Sequence, residues 1–303
     1  DGDGRAHRSI MLAGMRILAR DRGPSGRGGQ VQTYLVARAL AGRGHDVVVG
    51  AREESPLARR AADAGLGLLP LPGGGEASPL VLIRLARGAR AFAPDVVWAG
   101  DAKAHGAAAW SRVSRRTPLA VHRRVLKPPG AHPRSRLKYA LADRYLAVSA
   151  AARDVLVGAG VPAQRTVVVP DGLPPEAFVE GPAPEAPPFR LVHAGAFDGR
   201  KGQAVFVEAL ARLVAAGLDV RATFLGEGPV RASVEAQARG LGVAERCAFE
   251  GGVDDVPRRL AASHLLLLPS ESEASPLVLL EAMAAGCPVL AHDVGGISEL
   301  TRD

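Results

Sequence analysis

Two glutamates eight positions apart, Glu273 and Glu281, bracket the start of an apolar helical pattern in the stretch Pro269–Val289. An apolar strand pattern ends at Leu268 and a polar loop follows it. Ser275 and Pro276 read as an N-cap and first-turn pair, and Gly286 with Pro288 ends the helix. The first-turn amides of Leu277 and Val278 then point back toward the strand's carboxyl end, a geometry that holds an anion, above all a phosphate. Apolar residues surround Glu281 within its helix, so its carboxylate needs hydrogen-bond donors, and a ribose would supply two hydroxyls. Glu273, in the loop, would stand beside whatever the phosphate carries. Spacing alone leaves open a plainer reading, with an ordinary loop acid at 273 and a solvent-facing carboxylate at 281.

Those residues need a scaffold, and the rest of the chain reads as one. Short apolar runs alternate with helical patterns throughout. Strands are predicted at Arg16–Ala19, Asp46–Val49, Gly67–Leu69, Asp95–Trp98, Leu119–His122, Arg144–Val148 and Thr166–Val169. Further strands are predicted at Arg190–His193, Arg221–Leu225, Ala248–Glu250, His264–Leu268 and Pro288–Ala291. Amphipathic stretches lie between them, among them Val31–Ala41, Leu80–Phe92, Ala150–Gly158, Gly202–Ala216 and Pro229–Arg239. Shorter helical patterns cover Val256–Ala262 and Pro276–Ala285. This alternation predicts an α/β fold of parallel strands joined by crossover helices.

The segment Gly181-Pro182-Ala183-Pro184-Glu185-Ala186-Pro187-Pro188 holds four prolines in eight residues and reads as a linker. The expected organisation is a leader at 1–14, an amino-terminal doubly wound domain at 15–180, the linker at 181–188 and a second doubly wound domain at 189–303. Ligands of such sheets bind at the carboxyl ends of the strands, so two domains are expected to face a cleft. Asp1–Gly14 lacks periodicity, and Met15 reads as the natural start. The chain stops after the helix start Ile297–Leu300, and a fragment is expected.

Charge is uneven. Residues 1–180 hold 27 Lys/Arg against 15 Asp/Glu, and residues 181–303 hold 11 against 16. No acidic residue occurs from Ala102 to Ala142, where Arg112, Arg115, Arg116, Arg123, Arg124, Lys127, Arg134, Arg136 and Lys138 fall. Such a block attracts an anionic membrane surface, a phosphorylated acceptor or nucleic acid, or it is a solvated basic face. Three tyrosines and two tryptophans offer little surface for stacking bases, so nucleic acid is not an expected partner. The longest apolar runs, such as Leu265–Leu268, fall far short of the roughly 20 residues of a spanning helix. Cys247 and Cys287 are too few for a disulfide scaffold or a cysteine-built zinc site, which favours a reducing cytosol. Cytoplasm is the expected compartment, with peripheral docking on the inner membrane face as the option that the basic block opens.

Glu273 and Glu281, framed by Pro269-Ser270 and Ala284-Ala285-Gly286-Cys287-Pro288-Val289, resemble the signature of the retaining glycosyltransferases of family 4, which have the GT-B fold. Gly226-Glu227-Gly228-Pro229, Phe249-Glu250-Gly251 and Gly295-Gly296-Ile297-Ser298-Glu299 resemble family segments in order and spacing. Arg200-Lys201-Gly202, Gly28-Gly29-Gln30 and Val169-Pro170-Asp171-Gly172 are similar as well, although the family more often has Asn-Gly at the last. The string Gly23–Gly29 fits neither GxGxxG nor a GK[ST] ending.

The resemblance implies a metal-independent enzyme that moves a sugar from a UDP- or GDP-sugar to a cell-envelope glycan or a lipid-linked acceptor. It implies Glu273, His122 and Lys201 as catalytic, with Lys201 neutralising the diphosphate. It implies Glu281 on the ribose, and Arg200, Ala274, Ser275, Pro276, Leu277 and Val278 around the donor. The turn Gly251–Val253, with Gly251 and Val253 at its ends, would face the base, and Gly28 and Gly29 would approach the phosphates or the acceptor. The basic residues from Arg112 to Lys138 would dock an anionic leaflet. No cofactor and no metal are expected, the nucleotide sugar being a co-substrate. One departure stands out: Ala196 occupies a place where the family commonly has arginine, with Arg200 near enough to substitute. The alternatives are a non-catalytic binding module of the same fold and, against the ordered glutamates, a nucleotide-sugar epimerase.

Overall fold

The computed structural model describes residues 14–22, 28–111, 113–179 and 184–301. All but Gly14 of the leader, the first three residues of the linker, and Arg112 therefore lie outside the described residues.

The first sheet holds β1 (Arg16–Arg20), β2 (Asp46–Arg52), β3 (Gly67–Leu71), β4 (Val96–Ala99), β5 (Leu119–Arg123), β6 (Arg144–Ala147) and β7 (Thr166–Val168). Their order is β3-β2-β1-β4-β5-β6-β7, and the pairings of β1 with β2 and β4, of β2 with β3 and of β4 with β5 are parallel. Its helices are α1 (Gly28–Gly42), α2 (Pro56–Asp63), α3 (Pro79–Phe92), α4 (Ala102–Trp110), α5 (Pro133–Ala140) and α6 (Ala150–Gly158). Strand order reverses between β1 and β4, which makes the loops after them the ligand-binding edge of an open sheet. Every strand lies where the apolar runs predict one, within one to three residues at the ends. Parallel strands covered on both faces carry near-continuous Val, Leu and Ile, so their signal is strong.

Helices α2, α4 and α5 are not among the predicted elements. The reason is visible in α4, where Ala104, His105, Gly106, Ala107, Ala108 and Ala109 are all buried. A helix enclosed on all sides has no polar face, so its sequence shows no stripe. Its start is set by Asp101, whose Oδ1 accepts from the amides of Lys103 and Ala104 at 2.6 and 2.7 Å. His105 is held by the edges of Tyr139 and Tyr145, with Nε2 3.0 Å from the Lys138 carbonyl. Burial, followed by the charge of Lys138, pushes its pKa down to about 3, so it stays neutral. Helix α5 has the opposite trouble: it buries no residue at all.

The second sheet holds β8 (Phe189–Ala194), β9 (Val220–Leu225), β10 (Cys247–Gly251), β11 (Leu265–Leu268) and β12 (Val289–Ala291), in the order β10-β9-β8-β11-β12 and parallel throughout. Around it lie α7 (Gln203–Ala215), α8 (Arg231–Gly240), α9 (Val256–Ala261), α10 (Leu277–Ala284) and α11 (Ile297–Thr301). Here the order reverses between β8 and β11.

The chain divides into two units, the second taking in Arg124–Pro128, Ala147–Gly160 and Val168 onward. Helix α6 groups with this second unit through side-chain chemistry. Ala274 packs on Ala147, Val148 and Ala152, and Glu299 of α11 accepts from the amides of Ala150 and Ala151 at 2.5 and 2.8 Å.

The chain has only seven phenylalanines, and four of them meet in the second unit. Phe224 stacks on Phe249 with centroids 4.7 Å apart and meets Phe206 at 4.9 Å, with Phe197 beside it. This cluster joins β9 and β10 to α7 and to the loop after β8 that carries Lys201. Replacing Phe224 with alanine is expected to destabilise the second unit by about 3–5 kcal/mol, read as a lower midpoint in guanidinium denaturation.

Candidate functional site

The loops after β8 and β11, on either side of the strand-order reversal, bring together residues more than seventy positions apart. Gly202 has φ +73 and begins α7 where a β-carbon would collide with the Pro269 carbonyl. The amide of Glu271 donates to the Arg200 carbonyl at 2.9 Å. This seam sets Lys201 beside Glu273: Nζ lies 2.6 Å from Oε1. The Lys201 side chain is 24% exposed and that of Glu273 only 7%, so the ion pair is well shielded from water.

His193, at the end of β8, fixes the pair from below. It is fully buried, its Nε2 is 2.9 Å from the Lys201 carbonyl, and burial pushes its pKa down to about 4. A neutral imidazole beside Lys201 adds no positive charge to the pocket. Glu273 is held from its other side. Gly295, at φ +61, leaves room for the Glu273 carbonyl, and the Gly296 amide donates to that carbonyl at 3.0 Å. His193, Gly202, Gly295 and Gly296 were not predicted as site residues. The Gly-Gly pair is visible in the sequence as a motif, whereas the role of His193 depends on a packing partner eight residues away.

Around the ion pair, polar groups outnumber their partners. The Ser270 and Ser275 hydroxyl oxygens are buried without a hydrogen-bond partner. The N-cap of α10 is Pro276 and not Ser275, and no side chain caps the helix. This corrects the predicted cap, since the Ser275 hydroxyl faces inward instead of receiving a first-turn amide. The first-turn amides of Leu277 and Val278 have no helical carbonyl ahead of them, and no capping side chain takes its place. Glu281, one turn on, is mostly enclosed, and burial raises its carboxyl pKa above the ordinary 4.5. Buried hydroxyls, open amides and a desolvated carboxylate form a surface suited to a polyhydroxylated ligand carrying phosphate.

The structure places the other predicted residues as follows. Arg200 pairs with Asp198 at 2.8 Å, with its side chain 66% exposed. The Ala196 carbonyl, at the place where the family commonly has arginine, accepts from the Gln203 side-chain amide at 3.1 Å. Gly251, at φ +75, ends β10 beside the Glu227 carboxylate, and Val253 packs into the apolar cluster of Val192, Leu225 and Leu260. Gly28 and Gly29 open α1, where the Thr33 hydroxyl bridges the Gly29 carbonyl and Asp21. His122 is buried at the carboxyl end of β5, in the first unit, with its ring 6.1 Å from that of Trp98.

The basic block is not one surface. Arg123 is buried and donates to the Tyr139 hydroxyl, Arg124 forms a nearly buried pair with Asp171 at 3.0 Å, and Lys138 pairs with Glu76 at 3.0 Å. The sequence reading puts these three on a docking face; the fold consumes them, because acids distant in sequence reach Arg124 and Lys138 and a tyrosine hydroxyl reaches Arg123. Arg115, Arg116, Lys127, Arg134 and Arg136 are exposed, and Arg112 lies outside the described residues. Among the described residues no helix is long and apolar enough to cross a membrane.

Two doubly wound units, the second with a shielded Lys–Glu pair at its point of strand reversal, define the GT-B class of α/β protein. Residues 26–177 match the family described as Glycosyltransferase Family 4, and residues 188–303 match the one described as Glycosyl transferases group 1. The chain belongs to the glycosyltransferases of family 4. It is 36% identical over 151 residues to the 2-deoxystreptamine glucosyltransferase of Streptomyces kanamyceticus, covering 45% of this chain and 39% of that protein. It is 38% identical over 112 residues to the N-acetyl-alpha-D-glucosaminyl L-malate synthase of Bacillus anthracis, covering 37% of this chain and 29% of that protein. The chain thus spans well under half the length of the curated relatives it matches. The fold is similar to that of HepE from Anabaena in complex with UDP and glucose, with a TM-score of 0.82 at 22% identity over 95% of this chain and 83% of the other.

Two outcomes follow from the charges alone. Lys201→Met strands a nearly buried carboxylate and is expected to cost about 1–3 kcal/mol in denaturant titration, with part recovered by adding Glu273→Leu. Glu281→Gln is expected to raise the melting temperature of the ligand-free chain at pH 7. Because the folded carboxyl pKa is raised, its penalty is absent below the unfolded value near 4.5 and grows as pH rises above it. The two melting curves should therefore converge near pH 4, and an unchanged gap there would contradict the assignment.

Proposed function

We propose that the chain is the core of a retaining, metal-independent glycosyltransferase that takes its sugar from a UDP- or GDP-sugar. The observation that carries this reading is the Lys201–Glu273 pair set against the open start of α10, with Glu281 one turn behind. As the glycosidic bond to the diphosphate breaks, negative charge grows on the leaving oxygen, and Lys201 with the α10 amides meets it. Donor binding then turns Lys201 from Glu273 to the diphosphate and leaves Glu273 free to accept from the sugar hydroxyls. Glu281 accepts from the ribose, and the turn at Gly251–Val253 lies against the base. The same proposal gives His122 the contact to the donor sugar that the family resemblance implies.

In this reading the acceptor hydroxyl attacks the anomeric carbon from the side of the leaving group. The new C–O bond forms there, the bond to the diphosphate breaks, and the proton passes to the departing phosphate oxygen. Lys201 and the helix start supply the positive charge, so the reading calls for no divalent ion. The acceptor class is a cell-envelope glycan or a lipid-linked glycan, reached from the cytoplasmic face, with the exposed Lys127, Arg134 and Arg136 toward an anionic leaflet. Relatives whose names include an envelope step support it, among them the lipopolysaccharide glucosyltransferase WaaG of Escherichia coli, 38% identical over 113 residues. A small hydrophilic acceptor is the second reading, favoured by the glucosyltransferase and malate synthase names above.

The test is release of UDP and GDP from a panel of their sugars, with EDTA present. Turnover is expected with one donor base, unchanged by EDTA and reduced about 100-fold or more by Lys201→Ala or Glu273→Gln. Nucleotide binding with no release across the panel would instead assign a non-catalytic module.

A further inference from the structure

The first unit carries a second basic site that the sugar-transfer reading does not use. Arg90 in the last turn of α3 and Arg115 and Arg116 between α4 and β5 line a cavity of about 440 Å3. That size lies within the roughly 300–1,000 Å3 of small-ligand sites. The three side chains are exposed, and among the described residues none of them makes an ion pair or a side-chain hydrogen bond. This separates them from Arg123, Arg124 and Lys138, which the fold consumes. No described residue lining the cavity is acidic, and the Thr117 hydroxyl stands beside it without a partner among the described residues. Val113 and Ala89, both buried, give it an apolar floor.

Its place in the fold is also distinct. Helices α3 and α4 run back along the sheet, so their carboxyl ends and the residues before Leu119 lie at the amino edge of β4 and β5. The ligand edge of an open sheet is the opposite one. The plain explanation for arginines here is that they answer the negative ends of two helices. Two such ends amount to about one negative charge, against three guanidinium groups. A surplus of about two positive charges is left without a partner among the described residues, and it matches a phosphoryl dianion, which a guanidinium fork meets with two hydrogen bonds.

We propose that this cavity binds a phosphoryl group, as a free phosphate ester or diphosphate or as a lipid headgroup, at a site separate from that of the donor. The test is hydrogen exchange of the full chain, followed by mass spectrometry, with inorganic pyrophosphate at low salt. Segments 86–92 and 111–118 should gain protection in the wild type and in Lys201→Ala, which keeps the readout apart from the donor loops. Arg115→Ser/Arg116→Ser should weaken that protection at least about tenfold in apparent affinity, while Arg115→Lys/Arg116→Lys retains part of it. If the arginines only answer the helix ends, the serine variant will lower the melting temperature and pyrophosphate will protect neither segment, which overturns the proposal. Given pyrophosphate protection, phosphatidylglycerol vesicles distinguish the source. Vesicle protection of the same segments that pyrophosphate competes away assigns a headgroup, and none assigns a soluble phosphate compound.

Discussion

The carbonyl of Pro269 lies where the β-carbon of any residue but glycine at position 202 would be. That close approach of two backbones joins the start of α7 to the loop after β11, and the 2.9 Å hydrogen bond from Glu271 to the Arg200 carbonyl closes the seam. Everything at the site follows from it. Lys201 has a fixed backbone, a neutral histidine beneath its carbonyl and a shielded carboxylate 2.6 Å from its ammonium. A looser seam would leave both charges to water, where such a pair contributes little.

The ion pair also stores a choice. Lys201 satisfies Glu273, while the Ser270 and Ser275 hydroxyls are buried without partners among the described residues and the Glu281 carboxyl is desolvated. Such polar groups cost stability unless something arrives to bond them. The second unit offsets that cost with its aromatic cluster and five parallel strands, so an unsatisfied patch sits on a rigid support. The first unit has a different economy: small alanines let α4 enter the core, and neutral His105 is held between tyrosine edges. Both units keep a histidine uncharged by burial, and in both the imidazole nitrogen meets a main-chain carbonyl.

How a charge is used depends on what the fold brings near it. Arg123 and Arg124 are neighbours in the same basic run as Arg115 and Arg116, yet Tyr139 and Asp171 engage the first two and nothing described engages the others. The acid that holds Arg124 lies 47 residues on, and the one that holds Lys138 lies 62 residues back. A charge count along the chain could not have separated the two groups.

By itself the sequence determined the alternating strands, most of the helices with a clear apolar stripe, and the paired glutamates with their Lys-Gly partner. These are legible because parallel strands covered on both faces and capped amphipathic helices impose local patterns. Helices α2, α4 and α5 escaped; α4 is buried all round and α5 buries nothing, so neither of these two has a stripe to read. The tertiary structure alone decided that Ser275 turns inward, that Arg200 goes to Asp198, and that His193, Gly202 and the Gly295–Gly296 pair hold the site. Those outcomes depend on which atoms from distant segments come within hydrogen-bond or van der Waals reach, and chain spacing does not encode that distance.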